Sequence, residues 1–309
     1  MKNLRLNISK KFRHLNNGKP EQVIIETTNL CNLNCPFCLV GMQNDLFKKH
    51  GNSAHNLMSR PMGKMTEETF ARIKNEIKRF GVKKAYLHFQ GEPFMNRKTP
   101  YFAGQLKSNG LYVGVFTNGQ AFTDKIIEEI ADEEIDLIRF SVDGASEETY
   151  QINRVGGKFQ NVLENMKKVV KAHKGKKTRI EWQFLPLRNN EHEVEQARKM
   201  AQRIGINFFF KGFRETDPEL APKNKKYKSK FLKKPCKDTY KQLGFYWNGD
   251  VVPCCYDVDG KEVMGNIMDS SLEDIWNNKK YTYFRKRTDA YAQYPEKEPG
   301  ICKTCLRWR

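Results

Sequence analysis

Six short runs rich in β-branched and aromatic residues recur along the first two-thirds of the chain, and helical patterns follow them. The runs occupy residues 23–27, 84–90, 112–117, 136–142, 179–185 and 206–212. The segment 66–80 is typical of the helices, since Phe70 and Ile77 recur on one face and Thr66 can cap the first turn. Such alternation favours parallel strands joined by right-handed crossovers. Because six units are too few for a closed eight-stranded barrel, we predict an α/β fold, a partial (β/α)6 barrel with its site at the carboxyl ends of the strands.

Three cysteines follow the first run directly, with the spacing C-x3-C-x2-C at Cys31, Cys35 and Cys38. One short loop therefore offers three thiolates, whereas a cubane 4Fe–4S cluster takes four ligands and would keep one iron open. Zinc, which would require a fourth residue nearby, and a disulfide framework are the alternatives. Residues 39–65 form a long insertion after this loop, which we expect to be a lid or a substrate-facing segment.

The amino-terminal sequence MKNLRLNISKKF lacks the apolar core of a signal peptide. We therefore expect a cytoplasmic protein whose thiols stay reduced. No stretch approaches the roughly 18 apolar residues that span a membrane, so we expect no membrane partner.

Four further cysteines form a second candidate metal site near the carboxyl end, at Cys236, Cys254, Cys302 and Cys305. Asn248-Gly249 predicts a hairpin that presents Cys254 just beyond its second strand. Ser270 and Glu273 predict a capping box at the start of the helix that follows. The spacing alone fits zinc and a second 4Fe–4S cluster about equally, and the first cysteine motif favours iron–sulfur.

Cys255 and His88 each have a structural and a functional interpretation. Cys255 cannot point the same way as its neighbour Cys254 on an extended segment. It is either a small buried residue or a thiol near the active site that can give a hydrogen atom. His88, on the second strand, either faces the site or is a core histidine, and the core position is favoured. The phenylalanines at 208–210 are predicted to be core residues.

The formal net charge is +19, from 55 Lys and Arg against 36 Asp and Glu, and much of the excess lies at 223–234. A solvated basic surface and linker explain this charge without any ligand, and an anionic partner is the alternative. Since the sequence carries no recognisable nucleic-acid-binding module, we do not expect nucleic acid as a partner.

The cysteine loop and the sequences after the next three strands together resemble the radical S-adenosylmethionine (SAM) superfamily. Gln90-Gly91-Glu92-Pro93 resembles the family's GGEP motif, with glutamine in place of the first glycine, and Ser141 to Gly144 resembles its SVDG run. The resemblance implies that Cys31, Cys35 and Cys38 hold a 4Fe–4S cluster whose fourth iron binds SAM. It also implies SAM-binding roles for Gln90, Gly91, Glu92, Pro93, Thr117, Asn118, Ser141, Asp143, Arg154, Gln183 and Leu185.

The carboxyl-terminal cysteines resemble the SPASM/Twitch extension of that family, in a layout similar to the 2-deoxy-scyllo-inosamine dehydrogenases. Because the sequence ends four residues past Cys305, the resemblance implies one auxiliary 4Fe–4S cluster, in a small α+β domain. The expected organisation is an amino-terminal extension at 1–21, the barrel at 22–213, a basic linker at 214–235 and the Twitch domain at 236–309.

The resemblance further implies reductive cleavage of SAM to a 5′-deoxyadenosyl radical, which abstracts hydrogen from a substrate C–H bond. We expect oxidation of a sugar or cyclitol carbinol, with the auxiliary cluster as electron acceptor and a base among Lys211, Arg214 and Glu215. Crosslinking or epimerisation of a ribosomally made peptide is the alternative, and in epimerisation Cys255 would give the hydrogen atom. A non-catalytic iron–sulfur protein that binds nucleic acid is the second alternative.

Two kinds of partner follow from these expectations. One is the substrate, which is either a small molecule or a precursor peptide, and the small molecule can be an anion. The other is a reductant of the flavodoxin or ferredoxin type.

Overall fold

One mixed sheet runs through the described part of this computed structural model, which covers residues 18–51, 56–213, 218–229, 236–291, 300–302 and 305. Its strands are β1 (Gln22–Ile25), β2 (Lys84–Leu87), β3 (Tyr112–Thr117), β4 (Leu137–Ser141), β5 (Arg179–Phe184), β6 (Asn207–Phe210), β7 (Gln242–Phe245), β8 (Asp250–Val252) and β9 (Gly265–Asn266). Strands β1 to β6 are parallel, and each pairs with the next. This arrangement is the predicted partial barrel.

The sheet continues from the barrel into the carboxyl-terminal region through a parallel pairing that the sequence did not predict. Gln22 of β1 lies opposite Gln242 of β7 in the register, and the Gln22 side-chain amide donates to Gln242 Oε1 at 2.7 Å. Strands β8 and β9 then add in antiparallel order. The predicted hairpin is present between β7 and β8, with Gly249 at φ +90°. Both edges of β1 are therefore paired, so none of its backbone is left as an open edge.

Ten α-helices accompany these strands within the described ranges, and four of them begin at a Ser or Thr side chain that caps the first turn. They are α1 (Leu39–His50), α2 (Glu67–Phe80), α3 (Thr99–Ser108), α4 (Asp124–Asp132), α5 (Glu147–Asn153), α6 (Phe159–Ala172), α7 (Val194–Ile204), α8 (Asp238–Lys241), α9 (Leu272–Asn277) and α10 (Lys279–Tyr291). The Thr66 side chain accepts from the amide of Thr69, as predicted. Of the helices described, none is long and apolar enough to cross a membrane.

The cap of α9 lies one residue later than the sequence predicted. Ser271, not Ser270, is the N-cap, and its side chain accepts from the amide of Asp274 rather than forming a box with Glu273. The reason is local, because the Ser270 amide already donates to the Asn266 carbonyl at 3.2 Å and belongs to the preceding turn.

The core lies between the outer face of the sheet and the helices. Val113 and Val115 of β3 and Phe140 of β4 have no exposed surface, and Phe70 and Ile77 of α2 pack in the same cluster. Burial of side chains of this size stabilises a fold by about 1.5–3 kcal/mol each. Apolar packing between the helices and the outer face of the sheet therefore stabilises the barrel. The inner face is left available for polar side chains.

The segment after Cys38, which the sequence predicts to be a lid or a substrate-facing segment, begins with helix α1. Residues 52–55 lie outside the described part of the chain. The segment then returns to the carboxyl end of β1, where Thr28 and Lys64 form an antiparallel bridge. The Thr28 hydroxyl also donates to the Gly63 carbonyl at 2.7 Å. The described part of this segment is thus anchored to the barrel.

Part of the predicted basic linker also packs on the barrel. Residues 214–217 and 230–235 lie outside the described ranges, and the stretch between them contacts the end of β6. The Phe213 amide donates to the Tyr227 carbonyl at 2.7 Å, and the buried Tyr227 ring meets Phe210 edge-on at 5.0 Å. The domain boundaries expected from the sequence stay a prediction.

A buried ion pair joins the segment after α1 to the barrel and to the β7–β8 turn. Glu26, which follows β1 and has no exposed surface, accepts from both terminal nitrogens of Arg60 at 2.6 Å. The Arg60 guanidinium stacks on Tyr246 at 3.8 Å, and its Nε donates to the Val258 carbonyl at 3.1 Å. This one side chain therefore contacts three parts of the chain that are remote in sequence.

Replacing Arg60 by alanine should lower the free energy of unfolding by about 3–5 kcal/mol, because it leaves the buried Glu26 carboxylate without its partner. Anaerobic urea unfolding followed by circular dichroism measures the change. Lys98→Ala is the matched control, since Lys98 and Glu67 form an exposed pair worth about 1 kcal/mol or less. Equal losses in the two variants would contradict the importance given to the buried pair.

Candidate active site

A cavity of about 390 Å³ lies at the carboxyl ends of the barrel strands. Of the residues predicted from the sequence, its wall carries Cys31, Cys35, Cys38, Gly91, Glu92, Thr117, Asn118, Ser141, Arg154, Gln183 and Lys211. Behind the wall lie Gln90, Pro93, Asp143 and Leu185. Arg214 and Glu215, two of the three candidate bases, lie outside the described residues.

Helix α1 holds the cysteine loop in place. The Asn44 side-chain amide donates to the carbonyls of Cys31 and Leu33 at 3.0 and 3.1 Å. Gly41 lets the first turn of the helix approach the loop, because a Cβ at this position would lie 2.4 Å from the backbone N and O of Cys35. The loop thus gains a fixed shape from the helix that follows it.

Hydrogen-bond donors approach two of the three sulfurs. Asn118 Nδ2 lies 3.8 Å from Cys31 Sγ, and Arg154 Nη1 lies 3.8 Å from Cys35 Sγ. Burial raises the pKa of Cys31 to about 12 and the pKa of Cys35 to about 11. Since burial penalises the thiolate, these thiols become ligands only when a bound cation stabilises their charge.

The donor set fits an iron–sulfur cluster better than a single metal ion. Cys31, Cys35 and Cys38 line one wall of a cavity, and soft thiolates are the usual ligands of iron–sulfur clusters. We therefore propose that Cys31, Cys35 and Cys38 hold a 4Fe–4S cluster and leave one iron for SAM.

The loop after β2 packs directly on the cysteine loop. Gly91 has a φ of +75°, and a Cβ there would lie 2.6 Å from the Leu30 carbonyl oxygen, so a larger residue would separate the two loops. Gln90 Oε1 lies 3.9 Å from Cys38 Sγ. Gln90, which replaces the family's first glycine, therefore reaches the Cys38 thiol although Gln90 does not line the cavity.

Glu92 joins the ends of β2 and β3. Its carboxylate, 2% exposed, accepts from the Thr117 hydroxyl and the Asn118 amide at 2.7 Å each, and from the Phe94 amide at 3.3 Å. Burial raises the pKa of Glu92 to about 7, although these donors oppose the shift. Three of its lone pairs are used within the protein, and the same side chain still lines the cavity.

Asp143 fixes Arg154 beside the cysteine loop. It accepts from Arg154 Nε and Nη2 at 2.8 and 2.6 Å, and from the Leu185 amide at 2.7 Å. Asp143 is fully buried, and its charge raises the pKa of Arg154 against the effect of burial. Asp143 and Leu185 therefore support Arg154 and the end of β5 rather than the cavity surface.

Among the wall residues that sequence reasoning did not assign to the site are His88, Phe116, Arg139 and Phe209. The expectation that His88 and Phe209 are core residues was wrong. His88 stacks on Phe116 at 4.2 Å, and burial, with help from Lys211 and Arg139, lowers the pKa of His88 to about 3. The alternation of strand residues could have found them, because Arg139 and Ser141, like Phe209 and Lys211, are two positions apart and share the inner face.

The four carboxyl-terminal cysteines come together at a second, smaller cavity lined by Cys236, Cys254, Cys302 and Cys305. Burial raises the pKa of the Cys254 thiol well above its usual value, and the neighbouring thiols add to the effect. This set of thiols also needs a cationic cluster to become a set of thiolates, and we propose it as the auxiliary cluster site. Cys255 is half-buried and lines neither of the two cavities.

Two family comparisons agree with this geometry. The sequence model described as "Radical SAM superfamily" matches residues 25–201. The chain belongs to the radical SAM superfamily. A second model, "Iron-sulfur cluster-binding domain", matches residues 236–306. The family, the fold class and the expected cofactors, 4Fe–4S clusters and SAM, are thereby confirmed.

Individual relatives carry different activities in their names. A tungsten-containing aldehyde ferredoxin oxidoreductase cofactor-modifying protein of Pyrococcus furiosus is 25% identical, covering 88% of this chain and 84% of its own length. The 2-deoxy-scyllo-inosamine dehydrogenase of Niallia circulans is 40% identical over 57 residues, which are 18% of this chain and 22% of that enzyme. A PqqA peptide cyclase of Xanthomonas euvesicatoria is 22% identical, covering 93% of this chain and 80% of its own.

Solved structures share the fold. SuiB of Streptococcus suis bound to S-adenosylmethionine superposes with a TM-score of 0.70 at 15% identity, covering 92% of this chain and 72% of that one. BtrN in complex with AdoMet and 2-DOIA superposes with a TM-score of 0.56 at 18% identity, covering 87% of each chain. These similarities support the partial barrel with its carboxyl-terminal extension.

Replacing Gly41 by alanine should displace the cysteine loop, because the new Cβ would lie within 2.4 Å of the Cys35 backbone. After anaerobic reconstitution we expect the variant to retain the auxiliary cluster and to lose most of the first one, which is about half of its iron. Iron and sulfide assays together with electron paramagnetic resonance measure the loss. Met42→Ala, which changes the exposed neighbour on the same helix, should keep both clusters. Full iron in the Gly41 variant would contradict the role of this contact.

Proposed function

We propose that this radical SAM enzyme oxidises a carbinol of a sugar or cyclitol to a ketone. When bound, the cofactors would supply the one-electron chemistry: SAM on the first cluster would provide the 5′-deoxyadenosyl radical that removes one hydrogen atom from the substrate, and the auxiliary cluster would accept the second electron. The remaining proton of the carbinol has to go to a residue of the protein. The observation that carries the proposal is that one cavity wall bears both the cysteine loop and Lys211, which would accept the proton as the neutral amine.

The position of Cys255 favours a small-molecule substrate over the epimerisation of a peptide. Peptide crosslinking or epimerisation is the competing reaction, and Cys255, the candidate hydrogen donor for epimerisation, does not line the cavity.

The carboxyl-terminal region also contributes to the cavity wall indirectly. Phe89 of the wall meets Tyr246 of the β7–β8 turn edge-on at 5.3 Å. A Cβ on Gly244 would lie 2.4 Å from the same Phe89 ring, so β7 needs glycine at this position. The part of the chain that bears Cys254 is thus packed against the reaction cavity, which supports a direct role for the auxiliary site in the reaction.

The two cysteine sites should respond separately to substitution. Cys35→Ala should abolish 5′-deoxyadenosine formation under anaerobic conditions with dithionite and SAM, because SAM is cleaved only at the first cluster. Cys236→Ala should lose about four irons and keep part of the SAM cleavage, but it should form no ketone. Chromatography of 5′-deoxyadenosine, with iron assays, measures both. A wild-type protein that yields no 5′-deoxyadenosine would refute the enzymatic proposal.

Lys211→Gln should slow ketone formation by about 100-fold or more, as expected for loss of a general base, while 5′-deoxyadenosine is still formed. The assay uses a panel of cyclitols and sugars deuterated at the carbinol carbons, and deuterium in 5′-deoxyadenosine identifies the carbon attacked. Ketone formation at the wild-type rate in the variant would exclude Lys211 as the base. Deuterium transfer from a labelled precursor peptide, and from none of the carbinols, would favour the peptide reaction instead.

A further inference from the structure

A guanidinium held between two aromatic rings forms part of the inner wall of the cavity. The Arg139 Cζ atom lies 4.3 Å from the ring centroid of Phe116 and 4.7 Å from that of Phe209. Arg139 and Phe116 are register partners on β4 and β3. Two rings that flank a guanidinium fix its plane while leaving its edge for hydrogen bonds.

Arg139 lies deeper in the barrel than the residues assigned to SAM. It precedes Ser141 by two positions on β4, so the two side chains point to the same face of the sheet. The cysteine loop and the loop of Glu92 follow the ends of their strands, whereas Arg139 lies within its strand. A substrate between these levels would contact the cofactor on one side and Arg139 on the other.

The charge of Arg139 is only partly balanced. Its Nε donates to Glu181 Oε2 at 2.8 Å, and the other oxygen of Glu181 accepts from Arg179 Nε, also at 2.8 Å. One carboxylate is thus shared by two guanidinium groups, and the trio keeps one positive charge. Arg154, in contrast, has the Asp143 carboxylate on its Nε and Nη2.

The other titratable groups on the wall leave the Arg139 side of the cavity positive. His88 is neutral at physiological pH, since its pKa is lowered to about 3 by burial and by the charges of Lys211 and Arg139. The one carboxylate among the wall residues is Glu92, which accepts from donors at the ends of β2 and β3. Desolvated positive charge beside a cavity favours an anionic ligand, and a planar guanidinium favours carboxylate or phosphate oxygens.

We propose that Arg139 binds an anionic oxo group of the substrate, a carboxylate or a phosphate, and thereby decides which substrates the cavity accepts. The proposal rests on the function given above and narrows it to acidic or phosphorylated sugars and cyclitols. Held by such a group, the substrate is oriented with its reacting carbon toward the cofactor end of the cavity.

Equilibrium dialysis of the reconstituted holoenzyme tests the proposal. Both clusters are kept oxidised so that no turnover occurs, and SAM is kept at saturation so that the site for its carboxylate is filled. The probes are radiolabelled inorganic phosphate and acetate, and their separate affinities distinguish the two sources of the anionic group. We expect Arg139→Gln to weaken the better-bound probe by about tenfold or more, the effect of losing a charge-assisted hydrogen bond. Binding within twofold of wild type, or no binding of either probe to wild type, would overturn the proposal.

Arg198→Gln is the matched control. It removes the same charge from a guanidinium that also stacks on a phenylalanine ring, Phe208, but Arg198 is exposed and does not line the cavity. We expect probe binding to change by less than about threefold, since an exposed charge is screened by solvent. An equal loss of probe binding in both variants would show that the effect comes from the net charge of the protein rather than from a contact in the cavity, and would overturn the proposal.

A second measurement does not depend on the folding of a variant. A crystal of the wild-type holoenzyme with SAM, soaked in sodium selenate, should show an anomalous peak within hydrogen-bond distance of the Arg139 guanidinium, and peaks elsewhere alone would overturn the proposal. The proposed function is judged separately, by 5′-deoxyadenosine and ketone formation in the wild type. Anion binding that fails while these products form refutes only the role of Arg139.

Discussion

The rim of the reaction cavity depends on hydrogen bonds to two buried carboxylates. Glu92 receives donors from the ends of β2 and β3, and Asp143 receives Arg154 and the backbone at the end of β5. An unpaired carboxylate at such positions would be strongly destabilising, so each one requires its neighbours to stay in place. The loops that face the cofactors are therefore ordered by the protein itself, and Arg154 is already aimed at Cys35 Sγ.

The electrostatics of the cavity follow from burial combined with selective pairing. The thiols of Cys31 and Cys35 are buried enough to resist ionisation, and the charge that makes them ligands has to come from iron. Deeper in the barrel, Glu181 shares its charge between Arg139 and Arg179. One end of the cavity therefore suits a metal cluster, and the other suits an anion.

Features of local origin could be predicted from the sequence. The six barrel strands, the Thr66 cap and the hairpin at Gly249 follow from periodicity and turn chemistry, and the cysteine spacing indicated both candidate metal sites. The pairing of β7 with β1 could not be read, because it joins residues about 220 positions apart and no local signal sets such a register. The sequence prediction for His88 failed because a barrel strand can be apolar on its outer face and carry polar residues on its inner face.

The shared edge between β1 and β7 limits how the protein can be divided. A fragment that stops before β7 would keep every barrel strand but would leave the N–H and C=O groups along one side of β1 without partners. Such an edge invites strand addition from other molecules, so the shortened chain would tend to aggregate rather than persist as an isolated barrel. For engineering, exchange of the carboxyl-terminal region between relatives would have to preserve this strand and its register, and not only the cysteines beyond it.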